Sequence, residues 1–195
     1  TSAMRNAENS QDVIEKIKLV TGIDVEIIDG YQEANLLFLT NREKLKKSKF
    51  YMSADLGGGS LQLGLFRYKE LVWAHAYKAE TLRFLTKTIK QKEIDALEAK
   101  VVELKLKYPE AELMGSGGNI NKISKMIGKT KVRYVDMEYL YHKLSSISYD
   151  ERIRKYGLRE DRADVILPAL ELYMRILELS ENKHILVPKR PETNR

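Results

Sequence analysis

Apolar residues recur with helical spacing near the start of the chain and with a period of two farther on. Helical spacing predicts a helix over 11–20, whose apolar face is made by Val13, Ile14, Ile17 and Val20. A short alternating run predicts a strand at 25–28 that ends at Asp29-Gly30, and residues 31–39 again fit a helix. The lysine-rich stretch 41–49 follows and is the one candidate linker.

The next part of the chain predicts three strands in succession, at 50–56, 61–68 and 71–77. The turns between them are short, which favours an antiparallel meander. Beyond the meander, the pattern predicts helices at 79–90, 92–107, 118–127, 136–146, 149–156 and 162–180, and strands at 112–114 and 184–187. This order resembles a ribonuclease H-like domain, which forms one lobe of actin-like ATPases. We therefore expect an α/β fold with a mixed sheet flanked by helices.

Composition restricts the class of protein. The 195 residues are 43% hydrophobic and 32% charged, which is typical of a globular protein, and the absence of cysteine excludes disulfides and thiolate metal sites. No run of 18 apolar residues is present, and the first residues lack the pattern of a secretory signal, so we expect a cytoplasmic protein without a membrane span.

The net charge of +6 is concentrated in basic clusters at 42–49 and 122–133. These clusters contain almost no aromatic side chains on which bases could stack, so a phosphate polymer or a nucleotide fits them better than a nucleic acid. An ordinary solvated surface is the alternative interpretation of each cluster.

The most informative stretch is Asp55-Leu56-Gly57-Gly58-Gly59-Ser60. A carboxylate at the end of a buried strand is followed by three glycines, whose missing Cβ atoms let backbone N–H groups approach a phosphate closely. Ser60 adds a hydroxyl, and Asp55 can hold Mg²⁺ directly or through water. The alternative is an ordinary glycine-rich hairpin with a capping aspartate.

A second glycine loop, Gly115-Ser116-Gly117-Gly118-Asn119, lies between a short strand and a helix. The free N–H groups at a helix N-terminus favour an anion, although a tight turn from strand to helix has the same composition. Two anion-binding turns serve one ligand only if they converge. We therefore expect Asp55 and the 57–60 loop to face Gly117 and Gly118 at one edge of the sheet.

Five segments resemble, in the same order, the Ppx/GppA family of exopolyphosphatases and guanosine pentaphosphate phosphohydrolases. The segment 55–63 is similar to the family's second phosphate loop, and 115–120 is similar to its Gly-Thr-Gly-Gly-Thr-Ile loop. The segment 29–34 matches the place of the family's catalytic Glu-Ala pair. The segments 1–7 and 162–169 resemble a helix start beside the cleft and a buried late helix.

The resemblance implies a phosphoanhydride hydrolase that removes terminal phosphate from inorganic polyphosphate or guanosine pentaphosphate with Mg²⁺. It implies that Glu33 deprotonates the attacking water, that Arg5 faces the phosphate chain, and that Asp55 and Gln62 hold the metal. The implied phosphate-binding residues are Gly57, Gly58, Gly59, Ser60, Gly117, Gly118 and Asn119. Without the resemblance, Glu33 and Arg5 would be interpreted as surface side chains.

The sequence departs from the family pattern at Leu61-Gln62, where the family has Thr-Glu. A neutral Gln62 weakens the expected metal site, so a non-catalytic, regulatory phosphate- or nucleotide-binding protein is the alternative function. A sugar kinase or chaperone-type ATPase has less support, because no adenosine motif is evident. The family also begins with a lobe that has its own phosphate loop, which is missing here. We therefore expect residues 1–45 (helix–strand–helix) to end that first lobe and 46–195 to form the second. The sequence is compatible with either a monomer or a homodimer.

Overall fold

The computed structural model describes residues 4–5, 7–41, 45–46, 49–57, 60–68, 70–77 and 91–188. Its centre is a six-stranded mixed sheet in the order β3-β2-β1-β4-β6-β5. The strands are β1 (Phe50–Leu56), β2 (Leu61–Arg67), β3 (Glu70–Tyr77), β4 (Glu112–Ser116), β5 (Lys131–Val132) and β6 (Ile185–Leu186). The first three strands form the predicted antiparallel meander, whereas β4 runs parallel to both β1 and β6.

The helices pack mainly on one face of this sheet. They are α1 (Ser10–Thr21), α2 (Gly30–Asn41), α3 (Gln91–Lys107), α4 (Gly117–Ile127), α5 (Tyr134–Ser145), α6 (Tyr149–Tyr156), α7 (Glu160–Ala163) and α8 (Ile166–Leu179). The most apolar of them, α8, packs against α3, α4 and α5. Alternate residues of the sheet, such as Met52, Ala54 and Leu63, are buried in the same core. This period of two arises because successive side chains of a strand point to opposite faces.

The other face of the sheet has a smaller apolar cluster, which includes Tyr51, Phe66 and Met114. A cavity of about 470 Å³ opens over this cluster and over Leu186 of β6. Its lining is largely apolar, and among the residues that the structure describes none comes from either glycine loop. The cavity therefore shares no described residue with the predicted phosphate site.

Two predicted elements differ from the structure. Residues 22–29 have no regular secondary structure, so the strand predicted at 25–28 is not formed; a strand requires a neighbouring strand to take its hydrogen bonds. The helix predicted at 162–180 is divided into α7 and α8. Pro168 explains the division. It has no N–H to donate to the carbonyl of Asp164, four residues earlier, and its ring would collide with that carbonyl in a continuous helix. The helix predicted at 79–90 lies outside the described residues.

The first two helices have different surroundings from the rest. Within the described part of the chain, α1 buries none of its side chains, and Leu19 and Val20 are 85% and 79% exposed. Helix α2 instead packs against β3. None of the helices that the structure describes is long and apolar enough to span a membrane.

Candidate functional site

The two glycine loops leave neighbouring strands at the same end of the sheet. Strands β1 and β4 are parallel, and Asp55 is opposite Ser116 in their register. The chain enters the first loop at Gly57, directly after the last residue of β1, and it enters α4 directly after Ser116. Ligands of open sheets bind at the carboxyl ends of parallel strands, where the chain segments diverge. The predicted convergence of the two loops is therefore confirmed for their described residues.

Asp55 contacts the second loop directly. The Ser116 hydroxyl donates a hydrogen bond of 2.7 Å to Oδ2 of Asp55. Gly117 has a φ of +88°, and a Cβ atom there would lie only 2.2 Å from Oδ1 of Asp55. Only glycine meets both conditions, because other residues are strained at positive φ and their Cβ would displace the carboxylate. The second loop is thus built around the position of Asp55.

A row of side chains crosses the end of the sheet on the face of Asp55. Gln62 of β2 is opposite Asp55, and Ala76 of β3 is opposite Gln62. Directly paired residues place their side chains on the same face, so the row runs from Ala76 through Gln62 and Asp55 to Ser116. Helix α2 begins over this row, because a Cβ on Gly30 would lie 2.8 Å from that of Ala76. The first turn of α2 thus lies at the Ala76 end of the row that contains the predicted metal residues.

Glu33, in that first turn, forms an ion pair with Arg5. Nη1 of Arg5 lies 2.7 Å from Oε2 of Glu33, and the same nitrogen donates a hydrogen bond to the carbonyl of Ile28. Both side chains are largely buried, with 29% of Glu33 and 18% of Arg5 exposed. The contact lacks the angles of a hydrogen bond, since Oε2 has no hydrogen-bond partner among the described residues. The two residues predicted to be catalytic are therefore adjacent.

Gln62 has an unusual side chain for the interior of a sheet. It is only 6% exposed, and its Oε1 accepts no hydrogen bond from any described residue. Leaving a buried amide oxygen without a donor costs about 1–3 kcal/mol, so such an atom is available to water or to a cation. Because Gln62 is opposite Asp55, one carboxylate and one free amide oxygen come from adjacent strands at this point.

This pair suits Mg²⁺ only in part. Mg²⁺ binds oxygen ligands, often one or two protein carboxylates together with substrate phosphates and water. Asp55 and Gln62 supply oxygens of this kind. Among the described residues there is no cluster of three or more histidine, aspartate or glutamate side chains that could hold a metal. The site therefore fits Mg²⁺ provided that phosphate and water complete its coordination.

The comparisons with known proteins agree with this geometry. The sequence profile of the Ppx/GppA phosphatase family matches residues 1–187. The chain belongs to the Ppx/GppA phosphatase family. Exopolyphosphatase 1 of Mycobacterium tuberculosis is 39% identical over 64 residues, which are 32% of this chain and 19% of that protein. The same identity and coverage hold for Exopolyphosphatase 1 of Mycobacterium leprae. The matched segment is thus a small part of these curated relatives.

Two solved structures share the fold with this Ppx/GppA family member. The Aquifex aeolicus member of the family has a TM-score of 0.77 and 22% identity, with 97% of this chain and 68% of that chain covered. An exopolyphosphatase from Cytophaga hutchinsonii has a TM-score of 0.81 and 22% identity, with 96% and 69% covered. At this identity the structures establish the fold, and the expected actin-like, ribonuclease H-like architecture is confirmed.

The remaining loop residues predicted for the Ppx/GppA site have distinct surroundings. The Gly57 N–H closes the first turn by donating to the Ser60 carbonyl at 2.9 Å, while Gly58 and Gly59 lie outside the described residues. Asn119 is fully buried, and its Nδ2 donates to the Leu56 carbonyl at 2.9 Å. Its side chain is thus engaged within the protein, so the predicted contact of Asn119 with phosphate depends on its backbone N–H.

Arg162 is a charged residue at the site that the sequence did not single out. Its Nη1 donates to Oδ1 of Asn119 at 2.7 Å, and a Cβ on Gly118 would lie 2.5 Å from its Nη2. The guanidinium therefore stands beside the N-terminus of α4, with 29% of the side chain exposed. The sequence signal was its place at the start of the 162–169 segment, which resembles the family.

Proposed function

We propose that this chain is part of a hydrolase of phosphoanhydride bonds that removes the terminal phosphate from inorganic polyphosphate with Mg²⁺. The observation that carries the proposal is the row at the end of the sheet: Asp55 lies between two glycine loops, and Glu33, which is paired with Arg5, lies in the first turn of the helix that begins over Ala76 in the same row. Membership of the Ppx/GppA phosphatase family and the naming of the curated relatives as exopolyphosphatases support it.

The glycine loops would bind the phosphates. Backbone N–H groups of residues 58–60 and of Gly117, Gly118 and Asn119 can each donate to a phosphate oxygen, and the N-terminus of α4 adds its dipole. Arg162 beside Gly118 and Arg5 beside Glu33 would supply positive charge on two sides. Guanidinium groups suit this task because they donate two parallel hydrogen bonds to phosphate.

Asp55 and Gln62 would hold Mg²⁺ together with phosphate oxygens and water. The metal supplies positive charge that offsets the charge developing on the transferred phosphoryl group. Since Gln62 is neutral where the family has glutamate, the protein contributes one negative charge fewer at this position. Binding of the metal should accordingly depend more strongly on the polyphosphate itself.

Glu33 would act as the general base. A water oxygen attacks the terminal phosphorus, Glu33 accepts a proton from that water, and the bond from phosphorus to the bridging oxygen breaks. The products are orthophosphate and a chain shorter by one phosphate. Arg5 lies beside Glu33, so it is placed to orient the carboxylate before substrate arrives and to face the incoming phosphate. Positioning and charge supply most of the catalysis in such a reaction.

A non-catalytic phosphate- or nucleotide-binding role is the second candidate, and Gln62 favours it. Loss of a metal-site carboxylate weakens catalysis more directly than it weakens binding by the glycine loops. The two candidates predict different outcomes when orthophosphate release and polyphosphate binding are measured together, with and without Mg²⁺. Release that requires Mg²⁺ supports the hydrolase, and binding without release supports the binding role. If the protein shows neither release nor binding, both candidates are wrong. Guanosine pentaphosphate in place of polyphosphate distinguishes the two substrates.

We also propose that residues 1–45 complete a first lobe and that 46–195 form a second. The support is the difference in burial between α1, in the first part, and the second part. Within the described residues, α1 has no buried side chain and exposes Leu19, Val20 and, just after it, Ile23, whereas the strands and helices from residue 50 onward build the main core. Apolar side chains exposed together on one segment are typical of a surface that packs against other protein.

A further inference from the structure

On the side that faces β4, the end of β1 is completed by side chains instead of by a strand, while Leu56 still pairs with Leu61 of β2 on the other side. The last pair in the parallel register of β1 and β4 is Asp55 with Ser116, because β4 turns into α4 directly afterwards. Leu56, the last residue of β1, therefore has no residue of β4 opposite it. Its N–H and carbonyl would have to find other partners, since buried backbone groups are seldom left unpaired.

Two buried side chains form hydrogen bonds with the N–H and the carbonyl of Leu56. The Leu56 N–H donates to the hydroxyl of Tyr173 at 3.2 Å, and the Leu56 carbonyl accepts from Nδ2 of Asn119 at 2.9 Å. The Tyr173 hydroxyl in turn donates to the carbonyl of Ser116 at 3.3 Å. One hydroxyl thus contacts Leu56, the last residue before the first glycine loop, and Ser116 of the second loop.

Tyr173 comes from the middle of α8 and is fully buried among apolar side chains. Its ring contributes packing that phenylalanine would supply equally well, so the hydroxyl requires a separate explanation. Burial, and to a smaller degree the charge of Asp55, raise the pKa of Tyr173 above its ordinary value. The hydroxyl consequently remains protonated and keeps its proton for the Ser116 carbonyl.

We propose that the hydroxyl of Tyr173 is a positioning group that sets the spacing between the two glycine loops. The inference rests on the proposed function, because it assigns a purpose to that spacing: N–H groups from both loops bind one phosphate chain. Donors contribute fully to binding only when they are held in place before the ligand arrives. A bridge at the base of both loops limits their relative motion without contacting the ligand.

The test compares Tyr173→Phe with Tyr141→Phe. Tyr141 donates from its hydroxyl to Glu171, which is also on α8 but belongs to neither loop, so it controls for loss of a tyrosine hydrogen bond. Titration calorimetry with tripolyphosphate should show affinity reduced about fivefold in Tyr173→Phe, the effect of one ordinary hydrogen bond, and unchanged in Tyr141→Phe. Equal affinity in wild type and Tyr173→Phe would overturn the proposal.

Amide hydrogen exchange supplies a second measurement that does not need a ligand. Tyr173→Phe should accelerate exchange at Leu56 and in both loops, and Tyr141→Phe should not. If wild type fails to bind tripolyphosphate, the proposed function is wrong, while the exchange comparison still decides whether Tyr173 positions the loops. If Tyr173→Phe does not fold, exchange in wild type decides: a slow Leu56 amide supports the bridge, and exchange as fast as in an open loop contradicts it.

Discussion

The hydroxyl of Ser116 donates a 2.7 Å hydrogen bond to the carboxylate of Asp55, and this contact joins the two glycine loops across a parallel strand pair. The residues on either side make the contact possible. Gly117 has no Cβ to push the carboxylate away, and its positive φ turns the chain into α4. A carboxylate held in this way has a fixed position before any metal or phosphate binds.

Gly117→Ala should therefore abolish phosphate binding and destabilise the fold. Gly128→Ala is a matched control, because Gly128 has a φ of +78° but no atom within 4 Å of a Cβ. Backbone strain alone should cost each variant about 1–2 kcal/mol. The collision with Asp55 should add about 1–3 kcal/mol in Gly117→Ala only. Denaturant unfolding measures the difference, and equal losses in the two variants would show that Asp55 does not contact Gly117.

Gly118→Ala should behave differently, because its collision is with the end of a flexible arginine side chain. We expect a small loss of stability, under about 1 kcal/mol, and weaker binding of tripolyphosphate as Arg162 moves away. In an Arg162→Ala background, the same glycine substitution should have little further effect on affinity. The double-mutant cycle checks this, and additive losses of affinity would mean that the two residues act independently.

Gln62→Glu should strengthen Mg²⁺ binding, since it restores a negative charge opposite Asp55 at a position whose present oxygen has no donor among the described residues. Mg²⁺ titration calorimetry in the presence of tripolyphosphate measures the change. Gln62→Leu serves as the control: it removes the buried amide oxygen that has no donor among the described residues, so it should weaken metal binding without loss of stability. Equal or weaker Mg²⁺ binding in Gln62→Glu would show that this side chain does not face the metal.

The sequence predicted more of the meander and the loops than of the long-range contacts. Strands β1 to β3 are evident because period-two runs are separated by turns, and the two glycine loops because their composition is local. The strand expected at 25–28 has the right alternation but no strand to pair with among the described residues. Strand β5 has only two residues, too few for a period to be visible.

The contacts that complete the site could not be deduced from spacing. Arg162 reaches Asn119 across 43 residues, and Tyr173 reaches Leu56 across 117. A pattern of apolar positions places Tyr173 in the core of α8, but it does not indicate where its hydroxyl points. The separation of α7, which contains Arg162, from α8 likewise depends on a proline and not on the apolar pattern.

Acid should remove one local contribution to stability at the start of α5. Hydrogen bonds from Arg133, with a further one from Lys129, hold the pKa of Asp136 well below its usual range. A carboxyl with a lowered folded-state pKa stabilises the fold above its unfolded pKa and loses that effect as the pH falls through the folded value. The Asp136 carboxylate also accepts a hydrogen bond from the backbone N–H of Arg133, the residue that precedes α5. Asp136→Asn should thus cost about 1 kcal/mol at pH 7 and progressively less below about pH 4. A pH-independent difference in unfolding free energy between the two proteins would contradict this assignment.

The proposed hydrolase activity and the role of Glu33 in it are tested by orthophosphate release from long-chain polyphosphate by wild type and by Glu33→Gln, with Mg²⁺ present and polyphosphate binding measured in parallel. Glutamine retains the size of Glu33 but cannot accept the proton of the attacking water. We expect release by wild type, a loss of about 10²- to 10⁴-fold in Glu33→Gln, and nearly unchanged binding. Release by Glu33→Gln at the wild-type rate would contradict it.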